Sequence, residues 1–83
     1  MNYKIAFKKS VSRDLRKIEQ EQVKRILKKI EDELPQKAES LPTLTGKFSC
    51  LRKFRVGEFR AIFSIIGDTA LILRIWCRKE VYK

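Results

Sequence analysis

The sequence predicts an α+β domain with the element order β-α-α-β-β-β, in which a helical hairpin packs on one face of an antiparallel meander sheet. Between residues 10 and 34, apolar residues recur at helical spacing. The C-terminal half instead holds three runs with strand character, separated by Gly57-Glu58 and Gly67-Asp68. Both dipeptides suit the tight turn of a hairpin. This order, with the helices in the N-terminal half and hairpin-linked strands in the C-terminal half, predicts the α+β fold class.

The length of the chain, 83 residues, predicts a single domain over residues 1–83. An apolar content of 43% is sufficient for a globular fold. A domain this small buries only roughly 60% of the surface that its unfolded chain exposes. We therefore expect a compact core and no large cofactor cavity.

The N-terminal elements follow from two periodicities. Residues 2–7 alternate between polar and apolar side chains, which predicts a short strand that joins the sheet. Ser10 can cap the helix that follows. The helical spacing breaks near residue 20, so we predict two helices, at residues 10–18 and 21–34. One kinked helix is the alternative.

A long connection leads from the helices to the strands. Pro35 is expected to end the second helix, because proline lacks the amide hydrogen that a helix interior needs. Residues 35–47 carry a second proline, a glycine and small polar residues, and Leu41 and Leu44 are expected to lie under the sheet. The predicted strands are residues 49–56, 59–66 and 69–77.

The first hairpin determines which side chains share a face. A two-residue turn pairs Val56 with Phe59 and Arg55 with Arg60. The residues expected on the core face are Phe54, Val56, Phe59, Ala61 and Phe63. Lys53, Arg55 and Arg60 are expected on the opposite, open face. Like charges directly opposite each other destabilise a sheet, so the facing arginines indicate an anionic ligand.

The register of the last strand has two solutions. Its better core face consists of Leu71, Leu73, Ile75 and Cys77. To lie beside Phe63, this set needs a three-residue turn or a bulge after Ile66. A two-residue turn would place it on the arginine side of the sheet. We favour the first solution.

The charge of the chain indicates an anionic partner. There are 20 Lys and Arg against 10 Asp and Glu, a formal charge of +10. Nucleic acid is the first candidate, an acidic protein the second and a membrane surface the third. No stretch approaches the ~20 apolar residues of a membrane span, and the N-terminus lacks the features of a signal peptide. The expected location is the cytoplasm.

Several chemistries are excluded by what the sequence lacks. The chain has no histidine, which rules out histidine-pair RNA cleavage, Ser-His-Asp triads and histidine metal sites. Two cysteines far apart make a poor zinc site. The ten carboxylates lie mostly in the predicted helices, which argues against a two-metal nuclease. We expect no cofactor and no metal. Phosphate chemistry by arginine, with a phenol or lysine for proton transfer, remains.

Two sequence blocks resemble a known family. The pattern LxGKFSxLRKFRVGEFRAIF, followed by an apolar strand and RKEVY, resembles the RelE toxins of the RelE/ParE superfamily. The opening YKIAF and the later DLRKI are similar too, so the resemblance covers nearly the whole chain in order. It implies a RelE-like fold in a toxin of a type II toxin–antitoxin system.

The resemblance also implies an activity and partners. RelE toxins are ribosome-dependent mRNA endonucleases, which act on mRNA in the ribosomal A site and inhibit translation. They drive the RNA 2′-hydroxyl onto the adjacent phosphate without a metal. The expected protein partner is a cognate RelB-like antitoxin, in a possible heterotetramer. A ParE-like inhibitor of DNA gyrase and a non-catalytic RNA- or ribosome-binding module are the alternatives.

The resemblance assigns roles to individual residues. Arg60 matches the arginine that stabilises the phosphate, and Arg78 matches an arginine assigned to phosphate stabilisation or leaving-group protonation. Tyr82 matches the tyrosine proposed to stack on the base or take the 2′-proton. Arg52 and Arg55 fall where the family has basic groups that contact RNA. From the cluster of cations on the open face and at the C-terminus, the full set expected to contact RNA is Lys47, Arg52, Lys53, Arg55 and Lys79. Many relatives have histidine before the arginine of RKEVY, where this chain has Cys77.

Overall fold

The computed structural model describes residues 2–44, 46 and 50–77, and it confirms the predicted fold class. Two helices pack on one face of a four-stranded sheet, in the predicted order. The elements are β1 (Lys4–Phe7), α1 (Lys9–Leu15), α2 (Gln20–Lys37), a short 3₁₀ helix (Ala38–Ser40), β2 (Leu51–Val56), β3 (Phe59–Ile66) and β4 (Thr69–Cys77). Among these residues, no helix is long and apolar enough to cross a membrane.

The strands lie in the order β1-β4-β3-β2. β2, β3 and β4 form the predicted antiparallel meander. β1 joins the sheet beside β4, and the two run parallel, so the complete sheet is mixed. Parallel neighbours need a long connection. The helical hairpin and the first two strands of the meander supply it here.

The core lies between α2 and the helix-facing side of the sheet. The apolar residues of α2 recur every four positions, at Ile26, Ile30 and Leu34, and all three are fully buried. The meander contributes the buried residues Phe54, Val56, Ala61, Phe63, Ala70, Ile72 and Ile75. Leu41 packs against this cluster from the connection before β2, as predicted.

The two predicted helices are present, but α1 ends at Leu15 where residue 18 was predicted, and two other details of the helix ends were also wrong. Pro35 lies inside α2, which continues to Lys37. The carbonyl that loses its partner at Pro35 belongs to Glu31, whose side of the helix is exposed to water. Ser10 does not cap α1, because the helix begins one residue earlier and its N-cap is Lys8.

The first hairpin has the predicted register. Val56 pairs with Phe59, and Arg55 lies opposite Arg60. The turn residue Gly57 has a φ of +59°, and no non-glycine residue of the described chain has a positive φ. A positive φ at the first turn position alone is typical of a type II′ turn.

The register of β4 follows neither of the two predicted solutions. The second turn has two residues, since Ile66 pairs with Thr69. The bulge lies later, at Leu73, which is the extra residue between the pairs Phe63–Ile72 and Ile62–Arg74. Consequently Ala70 and Ile72 face the core before the bulge and Ile75 after it. The prediction that Leu71 and Leu73 are core residues was wrong; both are only half-buried.

Candidate nucleic-acid interface

The open face of the sheet carries a row of large side chains across three strands. Arg55 of β2 pairs with Arg60 of β3, and Arg60 pairs with Trp76 of β4. Directly opposite residues have Cβ atoms roughly 4.5–5.5 Å apart, so each side chain of the row is within reach of the next. Lys53 and Arg74 lie on the same face in the neighbouring row. The predicted grouping of Lys53, Arg55 and Arg60 is therefore present.

A groove of about 280 Å³ lies at the β2 side of this row. Its lining residues are Leu41, Pro42, Lys53, Arg55 and Arg60, and we call it the basic groove. The segment before β2 forms its far wall, because it runs beside β2 with a Lys53 N–H to Pro42 carbonyl bond of 3.2 Å. Three cations thus converge on one concave surface with an apolar wall.

The cations of the basic groove are not neutralised within the described part of the chain. None of its carboxylates forms an ion pair with Lys53, Arg55 or Arg60. Arg60 is half-buried, and its Nε–H is buried without a hydrogen-bond acceptor among these residues. A buried donor without a partner costs roughly 1–3 kcal/mol. An anionic ligand in the groove would offset both this cost and the repulsion between the arginines.

Arg52 has a different environment from the other predicted RNA contacts. It pairs with Phe63, so its side chain starts from the helix-facing side of the sheet. Its guanidinium donates to the carbonyls of Glu39 and Leu41, at 3.0 and 2.8 Å. These bonds tie β2 to the connection that forms the wall of the basic groove, so Arg52 shapes the groove from behind.

Four predicted site residues lie outside the part of the chain that the structure describes. They are Lys47, Arg78, Lys79 and Tyr82. β4 ends at Cys77, directly before Arg78. Cys77 pairs with Phe59 at the end of the sheet and is half-buried with a free thiol. Across the described ranges, no group of His, Cys, Asp and Glu side chains is suited to a metal ion.

A buried carboxylate beside the open face was not predicted. Asp14 of α1 is only 7% exposed. Its two oxygens accept hydrogen bonds from Arg74, at 2.9 Å from Nε and 3.1 Å from Nη2, and Oδ2 also accepts the Ile75 N–H at 2.9 Å. The Arg74 guanidinium in turn lies 5.4 Å from the centroid of the Trp76 ring. The signal in the sequence is an acidic residue three positions after Val11, within the apolar spacing of the first helix.

The pKa of Asp14 reflects these contacts. Burial acts to raise it, since a buried carboxylate is poorly solvated. The hydrogen bonds from Arg74 and from the Ile75 amide, together with the positive charges of Arg74 and Lys17, outweigh that effect and hold the pKa of Asp14 below its usual range. Asp14 is therefore a carboxylate at neutral pH, and Arg74 is held by a full negative charge.

Sequence comparison gives a family match. The family model described as the ParE toxin of the type II toxin–antitoxin system parDE matches residues 5–82. No curated protein matches the sequence closely enough to count as a relative.

Structural comparison gives several similar folds. A chain of the RelBE2 toxin–antitoxin complex from Mycobacterium tuberculosis has a TM-score of 0.86 at 21% identity, covering 94% of this chain and 100% of that one. A chain of the RelB–RelE complex from Methanococcus jannaschii has a TM-score of 0.66 at 26% identity, with coverages of 93% and 94%. A chain of the chromosomal ParDE system from P. aeruginosa has a TM-score of 0.71 at 20% identity, with coverages of 90% and 95%.

Proposed function

Because this chain belongs to the ParE toxin family of type II toxin–antitoxin systems, within the RelE/ParE superfamily, we propose that it is a toxin that cleaves mRNA on the ribosome. The observation that carries the proposal is the basic groove. Its cations Lys53, Arg55 and Arg60 converge without a carboxylate partner in the described chain. Such a cluster is suited to a phosphate backbone.

The reaction proposed for this surface is an internal phosphoryl transfer. The RNA 2′-hydroxyl loses its proton, its oxygen forms a bond to the adjacent phosphorus, and the bond to the 5′-oxygen breaks as that oxygen takes up a proton. Arg60 stabilises the negative charge that develops on the phosphate. In keeping with the family resemblance, we assign the two proton transfers to Tyr82 and Arg78.

The proposed partners are an antitoxin and mRNA in the ribosomal A site. Two of the similar structures are complexes of RelE-type toxins with RelB-type antitoxins. For this chain we propose a RelB-like antitoxin with acidic side chains, since it must neutralise a protein of formal charge +10. Its carboxylates would compete with RNA phosphate for the basic groove.

The test is cleavage of mRNA in a translating extract, mapped by primer extension. Arg60→Ala is expected to lower the cleavage rate by about 10²–10³-fold, the loss measured when one charge-stabilising donor is removed from other enzymes. Arg13→Ala is the matched control, because Arg13 is an exposed arginine of α1. Cleavage by Arg60→Ala at the rate of Arg13→Ala would rule out the assigned role of Arg60.

A second function, inhibition of DNA gyrase, is favoured by one specific observation. The matching family model carries the ParE description and extends over residues 5–82. A gyrase inhibitor needs no phosphate-stabilising arginine. Inhibition of gyrase supercoiling by the purified protein, with mRNA left intact in the extract, would support this function and exclude the nuclease.

A further inference from the structure

Asp14 begins a line of contacts that crosses the sheet toward the basic groove. Its carboxylate holds the Arg74 guanidinium by two parallel hydrogen bonds and accepts the Ile75 amide as well. A forked arginine–carboxylate pair fixes orientation more strictly than a single ion pair does. Arg74 therefore has a defined position, although 53% of its side chain is exposed.

The next contact is between Arg74 and Trp76. The two side chains project from alternate positions of β4 onto the same face, and the guanidinium carbon lies 5.4 Å from the ring centroid. At this distance the cation and the indole ring attract each other. Asp14 is thus connected to Trp76 through Arg74.

The last step in the line is the cross-strand pair of Trp76 and Arg60. They lie opposite each other in the β3–β4 register. The indole N–H and the Arg60 Nε–H are both buried and have no acceptor within the described chain. Arg60 therefore has no hydrogen bond there to fix its guanidinium, and its orientation depends on its neighbours, Arg55 and Trp76. Arg55 is exposed and carries the same charge, so of these two paired neighbours the indole is the one that can support the Arg60 guanidinium.

We propose that Asp14, Arg74 and Trp76 form a brace that positions Arg60 for phosphate. The inference rests on the proposed function in one respect: it takes Arg60 to be the phosphate ligand. The three residues act through Arg60, so they are positioning residues. The brace also explains why a carboxylate is buried at the edge of an otherwise cationic face.

For one substitution, the brace and simple electrostatics predict opposite changes in the affinity for an anion. Asp14→Asn removes a negative charge, and this change alone would tighten the binding of an anion. If the brace positions Arg60, the same substitution weakens binding. Asp32→Asn is the matched control, because it makes the same change of charge on the exposed side of α2. Arg74→Lys is a second test that keeps the charge but loses the fork.

The experiment measures binding of a labelled short single-stranded RNA by anisotropy, together with the emission of Trp76, which is the sole tryptophan of the chain. Each variant is assayed at a temperature where its circular dichroism shows it to be folded. Asp14→Asn and Arg74→Lys are expected to bind about tenfold more weakly than Asp32→Asn, the low end of what losing an outer supporting residue costs at metal sites. Both are expected to shift the emission of Trp76 in the free protein, whereas Asp32→Asn leaves it unchanged.

The outcomes separate this inference from the proposed function. Binding by Asp14→Asn as tight as that of Asp32→Asn, with unchanged Trp76 emission, would overturn the brace. Failure of the wild-type protein to bind the RNA would also overturn it, since Arg60 would then hold no phosphate. If the wild-type protein binds RNA through the brace but cleaves no mRNA in the extract, the proposed nuclease is wrong and the brace stands.

Discussion

Arg52 and Arg60 are the same side chain on neighbouring strands, yet they have different surroundings. Arg52 starts from the helix-facing side of β2 and donates to two backbone carbonyls. Arg60 starts from the open side of β3 and has a buried Nε–H without an acceptor in the described chain. Successive residues of a strand face opposite sides of the sheet. The side of the sheet on which each arginine lies therefore determines whether it bonds to the backbone or faces the groove. Arg60, whose Nε–H lacks an acceptor among the described residues, is the arginine available to a ligand.

The stabilising effect of Asp14 is expected to depend on pH. A carboxylate whose pKa is lowered by folding stabilises the native state fully above its unfolded pKa of about 3.9, and this effect is lost as the pH falls through the folded-state value. Asp14→Asn is expected to lower the free energy of unfolding by about 1–3 kcal/mol at pH 7, because it replaces a buried, hydrogen-bonded charge. The difference from wild type should shrink as the pH falls below about 4. Urea unfolding at a series of pH values measures it.

Asp68→Asn is the control for this experiment. Asp68 also has a lowered pKa, for which a hydrogen bond from Thr69 and the charge of Lys4 are responsible. However, its ion pair with Lys4 is 3.6 Å long and joins two exposed side chains. Exposed ion pairs contribute little to stability. Equal effects of the two substitutions at pH 7 would show that burial of Asp14 is not important for stability.

At the scale of the elements, α1 takes the place of a strand along part of β4. β1 pairs with β4 only as far as Ile72. Beyond it, the Lys8 N–H donates to the Ile72 carbonyl, the Ser10 hydroxyl to the Leu73 carbonyl, and the Ile75 N–H donates to Asp14. These bonds satisfy an edge that would otherwise be open to pairing with another chain. A seven-residue helix thus protects the bulged part of the strand.

Ser10→Ala tests this arrangement against Ser12→Ala. Both serines lie in α1, so the change in helix propensity is similar. The Ser10 hydroxyl bonds to β4 over 2.7 Å, whereas that of Ser12 bonds to the carbonyl of Lys9 in its own helix. We expect Ser10→Ala to be less stable than Ser12→Ala by about 1 kcal/mol, the net contribution of one hydrogen bond. Urea unfolding of both variants measures the difference, and equal stabilities would contradict the protective role of α1.

The features that could be predicted from the sequence are those determined by residues close together in the chain. The first hairpin follows from Gly57-Glu58 and the alternation around it, and its register places Lys53, Arg55 and Arg60 together. The position of the bulge at Leu73 was not predicted, and the backbone groups beside it have their partners in Ser10 and Asp14 of α1, far away in sequence. Pro35 lies inside α2, and the Pro35 carbonyl accepts the Tyr3 N–H, so a contact with a distant part of the chain supports the last turn of the helix. Asp14 was missed because its partners lie about 60 residues away.

At the scale of the whole molecule, the two faces of the sheet carry different kinds of side chain. The helix-facing side holds the apolar cluster, while the open side holds the row of Arg55, Arg60 and Trp76. The helices also carry many cations, but they carry acidic residues as well, and two of the lysines, Lys29 and Lys37, pair with Glu33. The formal charge of +10 is therefore unevenly distributed, and the part on the open face of the sheet that is unpaired within the described chain is the part expected to attract an anion.

This distribution predicts a local salt dependence of RNA binding. On single strands, each cation that neutralises a phosphate contributes about 0.7 to the slope of log K against log salt. Lys53→Ala is expected to reduce the slope by about that amount, because Lys53 lines the basic groove. Lys28→Ala, which removes the same charge from an exposed position of α2, is expected to leave it unchanged. Anisotropy titrations with a short single-stranded RNA at several salt concentrations measure both slopes. An equal reduction in the two variants would mean that RNA is attracted by the net charge and is not held in the groove.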